Sequence, residues 1–264
     1  MEFSADQIAN WIATYLWSFT RIAAMVMVMV AIGSRTTPQR VRLFYAFAIT
    51  VAVFPVLPAA PIDIELFSVA SAFIILQQIL IGIAIGTVST FVVQTFVVAG
   101  QIIAMQTSLG FASMADPMNG QSSPVVGQFY VLLVTLLFLG ADGHLLMIEL
   151  IIRSFDTLPI SMEGLLATDY KKLAGWFSIM FQAALALSIA SMVAMLLVNL
   201  SFGIMTKAAP QLNIFSLGFS ISMVFGLFVI WITLISVPIH FENQWLRGIT
   251  TICELLNGGC AKQP

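Results

Sequence analysis

Charge is what this sequence has least of. Only 8% of its 264 residues are Asp, Glu, Lys or Arg, while 60% are hydrophobic; an ordinary soluble domain is about 25% charged. So few charges cannot cover that much apolar surface in water, so the chain belongs in a membrane or inside a membrane-associated complex. A net charge of −2 gives no electrostatic case for nucleic acid, which calls for basic patches, and none is expected as a partner. Cysteine is nearly absent too. Cys253 and Cys260 are the two present, too few for a disulfide framework and at a spacing that fits no zinc pattern. They can form a single bridge if the tail faces an oxidising periplasm. His144 and His240 lack the paired spacing of a metal site, and no Walker A or G-x-S-x-G string occurs. No convergent acid/base set stands out, so neither an enzyme nor a cofactor is expected. Met1-Glu2-Phe3-Ser4-Ala5-Asp6 has no basic n-region and no cleavage pattern, so the first apolar segment is expected to stay in the mature protein.

Long apolar runs are what the sequence has instead. Six stretches, 11–33, 43–62, 66–105, 125–152, 173–206 and 212–241, are too long and too unpunctuated for strands. The expected fold is an all-α membrane protein of helical hairpins, some helices kinked or broken. Arg35, Arg40 and Arg42 follow the first stretch, and Lys207 sits between the last two. The positive-inside tendency puts those connectors in the cytoplasm and both termini outside. Arg21 falls inside the first stretch, where a charge must face protein or a water-filled path. The 66–105 stretch exceeds one straight crossing, since about 20 residues suffice. Gly140-Ala141-Asp142-Gly143-His144 is a turn signal, read as a short hairpin with Asp142 and His144 as turn and cap residues. Gly82 and Gly86, and Ala186, Ala190 and Ala194, present small faces for close helix approach. Met25, Met27 and Met29 read as packing residues.

No charged residue lies between Glu65 and Asp116, and that run ends in Gly110-Phe111-Ala112-Ser113-Met114-Ala115-Asp116-Pro117. Irregular backbone at membrane depth is tolerated only inside protein or beside water. A loop over Gln106–Pro124 therefore points to a protein-lined path. Gly110 and Gly120 free the backbone, Phe111, Met114 and Met118 supply deformable apolar bulk, and Asp116-Pro117 fixes a turn. A secondary transporter or small-solute channel would also place broken backbone at this depth. It should show matching broken helices in two halves, and no such internal symmetry is evident. A lipid-modifying enzyme would need the missing acid/base set.

Gly100-Gln101, Gln106, Gly110-Phe111 and Asp116-Pro117 resemble the central motif of the FliR family, subunits of the flagellar and virulence type III protein-export gate. Asp142-Gly143-His144 with Ser154-Phe155 and Pro159 is similar to the family's next segment. Pro210-Gln211-Leu212-Asn213-Ile214-Phe215 with Gly218 looks like its signature between the last two helices. Ser220 and Ser222 stand near where the family commonly has a proline and a basic residue. The resemblance runs along nearly the whole chain. It implies a FliP-like part over 1–170, a FliQ-like hairpin over 171–264, and a spiral hetero-oligomer with FliP, FliQ and FlhB type subunits at a flagellar basal body. It further implies an inner-membrane location, with much of the assembly raised toward the periplasm. Unfolded substrate proteins would pass through, segment 106–124 would close the conduit at rest, and Lys207 with Pro210, Gln211, Asn213, Phe215 and Gly218 would form a cytoplasmic turn touching neighbouring subunits. Membrane lipid would be the remaining partner. A virulence system is the alternative setting.

Overall fold

The computed structural model describes residues 5–34, 37–58, 68–110, 125–162, 164–208 and 214–256, with side chains except those of 5–10, 206 and 214–217. Among the described residues every regular element is helical. The helices are α1 (Ala5–Val28), α2 (Gln39–Val53), α3 (Val69–Gln106), α4 (Val125–Gly140), α5 (Gly143–Thr157), α6 (Ala167–Ala208), α7 (Ile214–Leu234) and α8 (Val237–Leu255). A 3-10 turn, Phe54–Val56, ends α2 where Pro55 cannot donate a backbone hydrogen bond. Among the described residues four helical spans are long and apolar enough to cross a membrane, or up to six if each bent pair counts as one.

Proline placement explains the long rods. None occurs within α3 or α6, so 38 and 42 residues run without a break. At 1.5 Å per residue each spans roughly 55–65 Å, about twice a bilayer core. Two other apolar runs are broken. The pair α4–α5 bends by 64° at Ala141-Asp142, and α7–α8 by 55° at Ile235-Ser236. The first break falls on the expected turn, but 64° is short of the reversal a hairpin needs. Asp142 takes a left-handed conformation, φ 53°, and makes no side-chain cap bond to α5. Asp tolerates that region better than most residues, so it serves as a turn residue rather than a cap. The second break lies inside the stretch expected to be one helix. Pro238 marks it, since proline is tolerated in a first helical turn and not in an interior.

Helices α5 and α8 differ from the rods. α5 buries Met147, Leu150, Ile151, Ser154 and Phe155 and turns Glu149, Arg153 and Asp156 outward. α8 buries Val237, Phe241, Trp245, Ile249 and Ile252 and exposes Glu242, Asn243, Arg247, Thr250 and Glu254. Apolar residues at three- and four-residue spacing opposite a charged face are the pattern of a helix on a protein surface in water.

The chain divides into two compact units, each assembled from separate pieces of sequence. Unit 1 comprises Met1–Phe91, Phe138–Trp176 and Leu246–Pro264; unit 2 comprises Val92–Leu137 and Phe177–Trp245. In unit 1 the core centres on Trp17, Ile22 and Met25 of α1 and Met29 just beyond it, with Ile74, Ile81 and Ile85 of α3 and Ile151 and Phe155 of α5. Gly82 and Gly86 make this possible. A Cβ on Gly82 would lie 2.2 Å from the Arg21 carbonyl, and one on Gly86 2.8 Å from that of Met25, so their small face is used within the chain, against α1. In unit 2 the core comprises Phe96, Ala99 and Ile103 of α3, Tyr130 and Val134 of α4, and Ile230 of α7.

Candidate functional site: a buried arginine and the two ends of segment 106–124

Arg21 sits in unit 1 with no exposed surface. Its guanidinium makes four hydrogen bonds. Nε donates to Gln78 Oε1 at 2.7 Å, Nη1 to the Ser154 carbonyl at 2.9 Å and to Ser154 Oγ at 3.1 Å, and Nη2 to the Leu158 carbonyl at 2.8 Å. The guanidinium carbon lies 4.2 Å from the centre of the Phe155 ring. Its described partners are all neutral. The attraction comes from the end of α5, whose last carbonyls carry a partial negative charge; that of Ser154 also accepts from the Leu158 N–H at 2.9 Å. Arg21 therefore caps α5 from α1, while Gln78 holds the third side from α3. Trp17 adds a parallel tie one turn earlier, its Nε1 donating to Ser71 Oγ at 3.2 Å.

Among the arginines that mark the first connector, Arg42 has a structural task as well. Its Nε donates to the Thr37 carbonyl at 3.0 Å, Nη1 to that of Gly33 at 3.2 Å, and Nη2 to those of Ser34 and Thr37 at 2.8 Å. One side chain thus satisfies three backbone carbonyls of a turn that no helix pairs.

The second site lies in unit 2, at the two ends of the segment expected to act as a plug. Gln106 is the last residue of α3, half-buried. Thr107 follows, fully buried, its hydroxyl donating to the Ile103 carbonyl at 2.9 Å, and Ser108 turns to positive φ, 61°. Gly110 is half-buried. Phe111, Met114, Asp116, Pro117, Met118 and Gly120 lie outside the described residues. Both stems are gripped at glycines. A Cβ on Gly226 of α7 would come within 2.4 Å of Thr107 Cβ, and one on Gly100 of α3 within 2.7 Å of Tyr130 Cδ2 and 3.0 Å of Gly127 Cα in α4. Tyr130 in turn shares a hydrogen bond with Thr233 of α7, 3.3 Å between the oxygens. The exit of α3 is thus wedged on α7, and α4 enters against α3.

Of the turn residues between α6 and α7, Lys207 is exposed near the end of α6, and Gly218 is half-buried within α7. Phe215 falls in the first turn of α7, where its side chain is not described. Pro210, Gln211 and Asn213 lie outside the described residues. Thr107, Gly127, Tyr130, Gly226 and Thr233, which organise the stems, were not anticipated from sequence, nor were Gln78 and Ser154 as partners of Arg21. A glycine inside an apolar helix, as at 226, was the one available signal of close approach.

The architecture and the wedged stems define a class: a membrane protein, all-helical among the described residues, in which a 38-residue apolar helix leads into a segment held at both ends. The family model of bacterial export proteins, family 1, matches residues 12–248. The flagellar biosynthetic protein FliR of Pectobacterium carotovorum subsp. carotovorum is 33% identical over 256 residues, 97% of each chain. That of Escherichia coli K12 is 35% identical over 227 residues, 86% of each chain, and that of Bacillus subtilis 168 is 26% identical over 255 residues, 95% of this chain and 97% of the relative. The chain belongs to this family, that of the FliR proteins, and is a membrane-embedded component of the flagellar export apparatus.

Proposed function

We propose that this chain is a non-enzymatic subunit lining the export gate for unfolded flagellar proteins, and that segment 106–124 closes the conduit at rest. The observation that carries this reading is the pair of wedged stems. Thr107 against Gly226 and Tyr130 against Gly100 fix where the segment leaves and returns, so a substrate can displace its middle without moving its ends. Phe111, Met114 and Met118 give the middle soft apolar bulk. A closed population of 99% needs only about 2.7 kcal/mol, within reach of a few apolar contacts.

Partners of FliP, FliQ and FlhB type fit the exposed surfaces. α6 presents Phe177, Phe181, Leu185, Ile189, Leu196 and Leu200 outward, a ridge that needs protein or acyl chains over it. Residues 1–170 would answer to a FliP-like part and 171–264 to a FliQ-like hairpin. Lys207 and Pro210, Gln211, Asn213, Phe215 and Gly218 would meet neighbours at the cytoplasmic entrance. The charged outer faces of α5 and α8 support an inner-membrane assembly partly raised into the periplasm, because such faces suit water and not lipid.

Deleting residues 111–124 with a short flexible replacement tests the closing role. In cells holding the assembled gate, the deletion should admit ions or small dyes that the parent excludes. An assembled gate that stays tight after the deletion removes the plug assignment.

A further inference from the structure

The Arg21 cluster holds more donors than acceptors. A guanidinium carries five N–H groups and accepts nothing. Four bonds leave Arg21, to Gln78 Oε1, the Ser154 carbonyl, Ser154 Oγ and the Leu158 carbonyl, so at least one N–H is left over among the described residues. The orientation of Gln78 follows. Arg21 can only donate, so the amide must offer its oxygen, and its nitrogen, joined to the same carbon, stays beside the guanidinium. That nitrogen, Nε2, is buried without a partner. Ser18, one turn before Arg21 on the buried face of α1, is the third such group, its Oγ also buried and unpartnered. Hydroxyls of Thr20, Thr50, Ser154 and Ser188 bond back to their own helix, the usual local solution; that of Ser18 does not. Gln77 faces elsewhere, since neighbours in sequence do not share a helix face, and its Nε2 donates to the Met162 carbonyl.

The cluster also carries a charge that no neighbour balances. The ion pairs among the described residues are Arg153–Glu149 and Lys172–Glu254, and neither involves Arg21. The end of α5 offers only partial charge, and a buried charge left unmatched is costly. Arg21 is enclosed by its own chain, so a carboxylate of another subunit cannot reach it. What the cluster lacks is a small acceptor with negative charge. We propose that Arg21, Gln78 and Ser18 bind a small monovalent anion of the halide class, chloride in the cell. The anion accepts from the spare Arg21 N–H, from Gln78 Nε2 and from the Ser18 hydroxyl, and it offsets the guanidinium charge. A water molecule accepts from the same donors but leaves the charge unbalanced. Arg21 ties α1 to α5 and Gln78 ties both to α3, so the anion completes the junction of three helices in unit 1.

Heating the purified complex in sodium chloride, sodium bromide or sodium gluconate at equal ionic strength tests this, scored as the fraction of this chain left soluble. Gluconate is too bulky for an enclosed site, so screening is unchanged while the ligand is withdrawn. The parent midpoint should lie roughly 2–4 °C higher in either halide. Gln78→Glu keeps an oxygen toward Arg21 Nε and replaces the amide nitrogen by a second carboxylate oxygen, which supplies the counter-charge from within. Its midpoint should be the same in all three salts. Ser18→Ala should need several-fold more chloride to reach a given midpoint. Equal parent midpoints in halide and gluconate overturn the anion and leave water as the occupant. A halide effect that survives intact in Gln78→Glu, or a chloride requirement unmoved by Ser18→Ala, puts the anion elsewhere and overturns the site. The parent comparison needs no variant, and Ser18→Ala locates the site even if Gln78→Glu fails to assemble. None of these readouts depends on the closing role of segment 106–124.

Discussion

Units 1 and 2 are held together by different means. Of the chain's 10 basic and 12 acidic residues, only Asp116, Lys207 and Glu242 fall in unit 2. Unit 1 is tied by directional polar contacts between distant helices, such as Arg21 to Gln78 and Ser154, Trp17 to Ser71, and Trp176 to Thr251. In unit 2 the long-range side-chain bonds described are Tyr130 to Thr233 at 3.3 Å and Asn199 to Ser222 at 3.4 Å, both near the outer limit for hydroxyl donors. Its closest approaches are steric, at Gly100 and Gly226. Hydrophobic exclusion does not press helices together in acyl chains, so close backbone packing must do so. Unit 2 has the construction of a part surrounded by lipid or other subunits; unit 1 has that of a part with its own polar skeleton. The comparison predicts where each unit breaks.

The largest effect should come from Arg21. Arg21→Ala removes four hydrogen bonds and leaves the Ser154 and Leu158 carbonyls and the Gln78 amide buried with fewer partners. Each polar group left short of a partner costs about 1–3 kcal/mol, and several together are a large part of a stability of about 5–15 kcal/mol. The variant subunit should fall well below parental levels in the membrane, and the purified complex should melt earlier. Arg21→Lys keeps the charge at the α5 terminus but not the fork that reaches three partners at once, so it should recover only part. Full recovery by lysine would show that the charge alone matters and would weaken the picture of a directional tie.

Gly226 is the counterpart in unit 2. Gly226→Ala adds one methyl 2.4 Å from Thr107 Cβ, and the neighbour cannot yield by rotating, because the contact is at its β carbon. Overpacking of this size costs roughly 1–3 kcal/mol. It should also displace the exit of α3, so conductance or dye entry through assembled gates should rise while Arg21 in the other unit is untouched. A complex as stable and as tight as the parent would mean that α7 and Thr107 are not wedged.

The same contrast explains what was legible beforehand. Apolar run lengths gave the existence of the rods and their ends to within one or two residues, but not their starts: 66–105 became Val69–Gln106, and 173–206 became a helix starting six residues earlier. The break before Val237 was hidden because Ile235, Val237 and Ile239 are as apolar as their neighbours, and only Pro238 announced it. That Arg21 needed a protein partner followed from its place in an apolar stretch. Which partner it had did not follow, since Gln78 and Ser154 lie 57 and 133 residues away and folding alone brings them together. Gly82 and Gly86 were legible as a close-packing face, whereas the helix they meet is a tertiary fact. The stems of segment 106–124 were illegible for the same reason, as each contact crosses from α3 to α4 or α7.

Gly203 offers the smallest and most discriminating effect. It lies in α6 within unit 2, like Gly226 in α7, yet a Cβ there would meet nothing within 4 Å. If glycine in this unit mattered only through composition, replacing either one would do similar harm. If close approach is what matters, Gly203→Ala should be harmless or slightly favourable, because alanine in a helix gains up to about 1 kcal/mol over glycine. Melting of the detergent-solubilised complex should show an unchanged or slightly raised midpoint. A loss of stability would mean that a neighbouring subunit packs against Gly203 as closely as Thr107 packs against Gly226. That outcome would turn an exposed position of α6 into a mapped contact of the assembly.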